Sequence, residues 1–105
     1  MAVRVVTDSN CDLPPELVAR HNIVVVPSVL IVDGRSYRDG IDLSRAEFYR
    51  RLPALDPLPT TAAPGAGEFE AAFRACGRAE IIAVLLAARF GALYNAARLG
   101  AEPLG

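Results

Sequence analysis

The chain has 105 residues, of which 11 are basic and 12 acidic, and its formal net charge is -1 with the one histidine neutral. This length fits one domain, and a hydrophobic content of 52% supplies the apolar side chains that a core needs. Every basic residue is an arginine, which excludes a lysine-dependent catalytic site, and the near-neutral charge argues against a nucleic-acid surface.

Histidine and cysteine are too few and too far apart for a metal centre. His21 is the one histidine, and Cys11 and Cys76 fit no zinc-binding spacing. We therefore expect no metal and two inert thiols, buried or half-buried. The N-terminus turns polar after six residues, and no apolar run approaches the ~20 residues of a membrane span. These features predict a cytoplasmic protein.

The first element is a buried strand followed by a short helix. Residues 2–6 are rich in valine, and the polar residues 7–10 are expected to end the strand. Asp12 is expected to cap a helix that has prolines in its first turn and runs through Arg20.

A second β-rich segment and a second helix follow. Residues 23–32 are mostly β-branched, and Pro27 makes them either one kinked strand or two short ones. Residues 33–34 (Asp-Gly) are typical of a hairpin turn. Ser44, with a glutamate three residues later, matches a capping box and predicts a helix to about Leu52.

The last third of the chain predicts a helix, a strand and a helix. The third helix is expected over residues 67–76, where Phe69, Ala72, Phe73 and Cys76 form one apolar stripe. Residues 80–86 form a near-continuous apolar strand, which favours a place in the middle of a sheet. A final helix is expected over residues 92–99, closed by Gly100.

This order of elements predicts an α/β domain of three layers, a mainly parallel sheet with helices on both faces. Ligands of such folds bind beyond the carboxyl ends of the strands. Residues 7–9, residues 60–61 before the third helix and residues 88–91 before the fourth meet that description. Because two of these segments precede helix N-termini, the sequence predicts a site for a small anionic group.

Two catalytic interpretations of the first loop are weak. Asp8 as a phosphatase-type nucleophile lacks the second aspartate two residues later and a downstream lysine. A pair formed by Ser9 and His21 is separated by the whole first helix. The simpler interpretation is that Asp8 and Ser9 cap the turn after the strand through local side-chain bonds.

Taken together, several motifs resemble those of the DegV family of bacterial fatty-acid-binding proteins. They are residues 6–9 (VTDS), 12–14 (DLP), 26–27 (VP), 37–42 (YRDGID), 59–61 (PTT) and 93–97 (LYNAA). The resemblance implies that residues 1–105 form a DegV-like N-terminal α/β domain, without the C-terminal domain that the family's longer members carry. It also implies a non-catalytic carrier of a long-chain fatty acid such as palmitate, with no other cofactor and no enzyme activity.

The resemblance also implies a set of ligand residues. The family's carboxylate-binding threonine corresponds to Thr61, and Gly91 stands at the position of its second ligand residue, a serine. Arg89 lies in the same motif and is a candidate to pair with the anion in the serine's place. Thr60 and Ser9 complete the predicted ligand-binding set.

Two functions therefore remain open. The first is a lipid carrier that presents its fatty acid to an acyl kinase subunit. The alternative is a shortened interaction domain that no longer binds lipid and is stable as a homodimer or with a complementing second domain. The hydroxyl missing at Gly91 favours the alternative, and Thr61 favours the carrier.

Overall fold

A computed structural model describes residues 2–87 and 92–105 of the chain. It has a mixed α/β fold, as predicted, with one parallel and one antiparallel sheet of three strands each in that part of the chain. The strands are β1 (Val3–Asp8), β2 (Val24–Val26), β3 (Val29–Val32), β4 (Arg35–Arg38), β5 (Thr60–Ala62) and β6 (Glu80–Val84). The helices are α1 (Pro15–Arg20), α2 (Arg45–Arg51), α3 (Ala66–Ala75) and α4 (Leu93–Ala101).

The parallel sheet has the order β2-β1-β6, so the valine-rich first strand is central. The strand was expected to end before Thr7, but it continues through Asp8. Both polar side chains can be buried in the strand because each has a hydrogen-bond partner. The Thr7 hydroxyl donates to the carbonyl of Val84 at 2.7 Å and so ties β1 to β6.

The antiparallel sheet has the order β4-β3-β5. Residues 23–32 form two strands that belong to different sheets, because the chain passes from β2 to β3 at Pro27 and Ser28. The predicted turn at Asp33 and Gly34 is confirmed, with φ angles of 51° and 75°. Two consecutive positive φ values match a type I′ turn, whose twist suits an antiparallel hairpin.

The start of α1 corrects the prediction for Asp12. This residue has φ 54°, in the left-handed region, and α1 begins three residues later with Pro14 at its N-cap. Asp12 therefore cannot cap the helix, and its carboxylate instead pairs with the guanidinium of Arg45 at 2.7 Å.

The start of α2 confirms the prediction. The Ser44 hydroxyl accepts a hydrogen bond from the Glu47 amide at 3.1 Å, which is the bond that an N-cap serine makes. The Glu47 carboxylate does not complete the capping box; it accepts bonds from the guanidinium groups of Arg50 and Arg51. These two hydrogen bonds, that of Arg50 first, lower the pKa of Glu47 from 4.5 to about 2.

The Glu47 carboxylate is expected to titrate near pH 2 in the folded chain. Since its pKa is lower than in the unfolded chain, its ion pairs stabilise the fold above about pH 4.5 and are lost as pH falls through about 2. Carbon-detected NMR titration of the side chain measures this directly. Arg50→Ala is expected to raise the midpoint, and a wild-type midpoint at 4.5 would contradict the arrangement.

Helices α3 and α4 cover one face of the parallel sheet. The core they form there comprises Val6, Val26, Phe69, Phe73, Cys76, Leu93 and Ala97. The predicted stripe of α3 is confirmed, with Phe69 fully buried. Cys76 is a buried free thiol and Cys11 a half-buried one, as expected.

The end of α4 corrects the prediction for Gly100, which lies inside the helix and does not close it. A Cβ at this position would lie 2.6 Å from the carbonyl oxygen of Ala66 and 2.8 Å from the Cβ of Phe69. The missing side chain therefore lets the backbones of α4 and α3 approach closely.

The opposite face of the parallel sheet carries an exposed apolar patch. Side chains alternate along a strand, so the register of β1 and β6 places Val3, Ile82 and Val84 on the face away from α3 and α4. These three are 53%, 56% and 57% exposed. Among the described residues β6 is an edge strand, where a place in the middle of the sheet was predicted, and it ends at Val84, before Leu86.

In the described ranges, 2–87 and 92–105, the helices are too short or too polar to cross a membrane.

Candidate functional site

Asp8 lies at the carboxyl end of the central parallel strand and is 2% exposed. One carboxylate oxygen accepts a hydrogen bond from the Asn10 amide at 2.8 Å. The other accepts one from the Leu86 amide, also at 2.8 Å. Both oxygens thus hold the backbone, one locally and one across the sheet. This arrangement supports the structural interpretation of Asp8 over the nucleophile.

Ser9 follows in a short 3-10 turn and is half-buried. Its hydroxyl oxygen accepts a hydrogen bond from the amide of Ser28 at 3.0 Å, and the hydroxyl proton remains available as a donor. A small cavity of about 150 Å³ lies beside it. The residues that line this cavity are Ser9, Asn10, Asp12, Leu30, Asp39, Arg45, Phe48 and Tyr49. Because its one guanidinium is already paired with Asp12, the cavity is a poor anion site.

Thr60 and Thr61 were expected to lie in a loop. They lie instead in β5, where they pair with Ile31 and Leu30 of β3, respectively. Both are exposed. Consecutive strand residues point to opposite faces, so a single carboxylate can reach the hydroxyl of only one of them. Thr61 shares the face of Leu30, which packs towards α2, and Thr60 lies on the opposite face.

The start of α3 lies close to these threonines in sequence. Gly65 is the N-cap and supplies no side-chain hydrogen bond to the first turn. The backbone amides of that turn are therefore not satisfied by a capping side chain, which favours a nearby anion. Thr61 precedes this N-cap by four residues.

The second predicted half of the site falls mostly outside the described residues. Arg89 and Gly91 lie in the range 88–91, as does Phe90. The helix that follows begins at Leu93, and its N-cap, Ala92, provides no side-chain bond either. On the amino-terminal side, the Asp8 carboxylate holds the Leu86 amide, two residues before this range.

Two grooves border the parallel sheet. One of about 410 Å³ lies at the carboxyl ends of β1 and β6, and its lining is mainly apolar. It is formed by Val5, Thr7, Asp8, Asn10, Cys11, Leu13, Ile23, Val84, Leu85 and Leu86. The other, of about 640 Å³, lies between β6 and the ends of α3 and α4. The first groove lies at strand carboxyl ends, where the sequence predicted a ligand site, and includes Thr7 and Asp8. The second was not predicted, since it joins segments that are distant in the chain.

Arg38 has a structural role after β4. Its guanidinium forms two hydrogen bonds with the carboxylate of Asp42, at 3.0 and 3.1 Å. These bonds raise the pKa of Arg38 and lower the pKa of Asp42. The pair closes the turn between β4 and α2.

The fold and the residues at its strand ends define an α/β protein of the DegV type. The family model described as "Uncharacterised protein, DegV family" matches residues 2–105. A DegV domain-containing protein of Caldanaerobacter subterraneus is 35% identical over 97 residues, which is 90% of this chain and 34% of that protein. The chain belongs to the DegV family, and it spans about a third of the length of that relative.

Two solved structures share the fold closely. DegV from Bacillus subtilis, described as a fatty acid binding protein, superimposes with a TM-score of 0.88 at 28% identity. The match covers 98% of this chain and 37% of the other. A stearic acid-binding protein from Eubacterium ventriosum gives a TM-score of 0.86 at 30% identity, over 99% of this chain and 38% of the other. The predicted family and α/β fold class are thus confirmed, while the single mainly parallel sheet that was predicted is replaced by one parallel and one antiparallel sheet in the described residues.

Proposed function

We propose that the chain is a non-catalytic binder of long-chain fatty acids such as palmitate. The observation that carries this proposal is the likeness of nearly the whole chain to two fatty-acid-binding proteins of the DegV family. Since the chain spans little more than a third of those proteins, residues 1–105 are proposed to correspond to their N-terminal domain.

The proposed carboxylate contact is Thr61. Its hydroxyl is a donor on an exposed strand, and the uncapped first turn of α3 follows shortly after it in the chain. Gly91, through its backbone amide, and Arg89, through its guanidinium, are proposed as further contacts of the carboxylate; both precede α4 in the sequence. Thr60 lies on the other face of β5 and is the weaker candidate of the two threonines. Ser9, whose hydroxyl oxygen is bound by the Ser28 amide, is not proposed as a contact.

Thr61→Ala is expected to weaken palmitate binding about tenfold, the effect of losing one hydrogen bond to a charged group. Thr60→Ala is a matched control, because it removes the same group from the same strand on the opposite face. Displacement of a fluorescent fatty acid by palmitate measures both dissociation constants. A loss confined to Thr60→Ala would move the contact to the other face, and no loss in either variant would overturn the assignment.

The proposal extends to one partner. A fatty acid held at Thr61 would keep its carboxylate near the surface, because that strand is exposed. We propose that this carboxylate is presented to an acyl kinase subunit, which performs the phosphoryl transfer while the carrier supplies no catalytic group. Phosphorylation of bound palmitate only when such a kinase is added tests this division of labour.

The alternative, an interaction domain without lipid, is favoured by a different observation. Val3, Ile82 and Val84 form an exposed apolar face on the parallel sheet, and parallel sheets normally have both faces covered. The occupant to test first is a second copy of this chain. Native mass spectrometry separates the two functions: a stoichiometric fatty acid supports the carrier, and a lipid-free dimer supports the interaction domain.

A further inference from the structure

Two consecutive side chains bind the backbone of two segments that are remote in sequence. The Asp8 carboxylate accepts a hydrogen bond from the amide of Leu86, which lies 78 residues further along the chain. The Ser9 hydroxyl accepts one from the amide of Ser28, which lies 19 residues further along. The bonds are 2.8 and 3.0 Å long and part-buried, so water competes with them only weakly.

Ser28 is a junction between the two sheets. It is buried and directly precedes β3, the strand on which Thr61 is paired. Its amide is bound by Ser9, and its carbonyl accepts a hydrogen bond from the amide of Asp39 at 2.9 Å. Ser9 therefore fixes the start of the antiparallel sheet at Ser28, where the chain passes from the parallel sheet to the antiparallel one.

Leu86 has the corresponding place on the other side. It follows β6 by two residues, in the connection that leads towards α4. Asp8 binds its amide from the end of the central strand, and the second oxygen of the same carboxylate closes the turn at Asn10. Asp8 therefore fixes the position of Leu86, just after β6, relative to the turn that contains Ser9.

We propose that Asp8 and Ser9 are positioning residues for lipid binding, which act through Leu86 and Ser28 and do not themselves contact the fatty acid. This inference rests on the proposed function. A ligand carboxylate is held by directional bonds, and a site loses affinity when its supports shift by about half an ångström. The two side chains fix the antiparallel sheet, which carries Thr61, relative to the residues that follow β6. Their loss therefore lowers the affinity for the fatty acid without removing any ligand contact.

Ser9→Ala is the main test, and Ser44→Ala is its matched control. Each removes a serine hydroxyl that accepts one bond from a backbone amide, the first from Ser28 and the second from Glu47 at the start of α2. We expect Ser9→Ala to raise the dissociation constant for palmitate about tenfold, and Ser44→Ala to leave it within about twofold. Ser9→Thr keeps the acceptor oxygen and is expected to restore affinity.

Amide hydrogen exchange supplies a readout that needs no lipid. Exchange at Ser28 is expected to accelerate in Ser9→Ala, while Val6 in the core stays protected. Asp8→Asn keeps one acceptor oxygen, so exchange is expected to accelerate at one of the two amides that the carboxylate binds, Leu86 or Asn10. Should Asp8→Asn fail to fold, Ser9→Ala still decides the question.

The outcomes separate the two proposals. If the wild-type chain binds no palmitate, the proposed function fails and this inference fails with it. If the wild type binds and Ser9→Ala weakens binding no more than Ser44→Ala does, only the positioning role is overturned.

Discussion

Gly100→Ala is expected to lower the free energy of unfolding by about 3 kcal/mol, although alanine is the better helix former. The added Cβ would lie 2.6 Å from the carbonyl oxygen of Ala66 and 2.9 Å from the amide nitrogen of Glu70. Both are backbone atoms of α3, which cannot rotate away as a side chain can. The two helices must separate, and the core between them loses its close packing.

Gly67→Ala is the matched control for this substitution. Gly67 lies in α3, and a Cβ there would meet no atom within 4 Å. The same change is therefore expected to raise stability by roughly 0.5–1 kcal/mol through helix propensity alone. Urea unfolding at an unchanged slope measures both effects. Equal midpoints for the two variants would show that α4 does not approach α3 as closely as described.

Local signals predicted the elements that depend on local chemistry. Ser44 begins α2 because its hydroxyl binds an amide three residues away, and Asp33-Gly34 turns because the second residue has no side chain. The DegV family could also be predicted from the sequence, because its motifs lie in short runs of residues. These features require no knowledge of which segments meet in space.

The remaining features depend on pairing between distant segments. β5 has three residues with no apolar alternation, and only its partner β3 makes it a strand. Gly100 could have been suspected, because a glycine at the end of an apolar helical stripe indicates either a helix end or a close contact. No sequence pattern in α3 indicated which of its residues Gly100 would approach.

The candidate site was predictable in its residue types and not in its geometry. Asp8 and Ser9 were expected to make local bonds. Asp8 makes one with Asn10 and a second with Leu86, whereas the Ser9 hydroxyl binds the amide of Ser28, 19 residues away. Thr60 and Thr61 were expected to act together, but strand alternation places them on opposite faces. In each case, the missing information was the position of a second segment.

Phe69→Ala is expected to cause the largest loss of stability, about 3–5 kcal/mol. Phe69 has no exposed surface and packs against Phe73, with ring centroids 6.1 Å apart. Its removal would leave a cavity between α3, α4 and the parallel sheet, at the point where Gly100 brings the two helices together. The free energy of unfolding of a domain of this size is only about 5–15 kcal/mol, so the variant retains little stability.

Tyr49→Ala serves as the control for the loss of an aromatic ring from a helix. Tyr49 lies on α2 and is 61% exposed, so its removal is expected to cost less than about 1 kcal/mol. If Phe69→Ala is unfolded at room temperature, Phe69→Leu supplies a measurable midpoint, because leucine fills part of the cavity. A core role for Phe69 predicts that the leucine variant loses stability and keeps its affinity for palmitate. Unchanged stability with weakened binding would contradict the core role and would make Phe69 a lipid contact, although its side chain is completely buried.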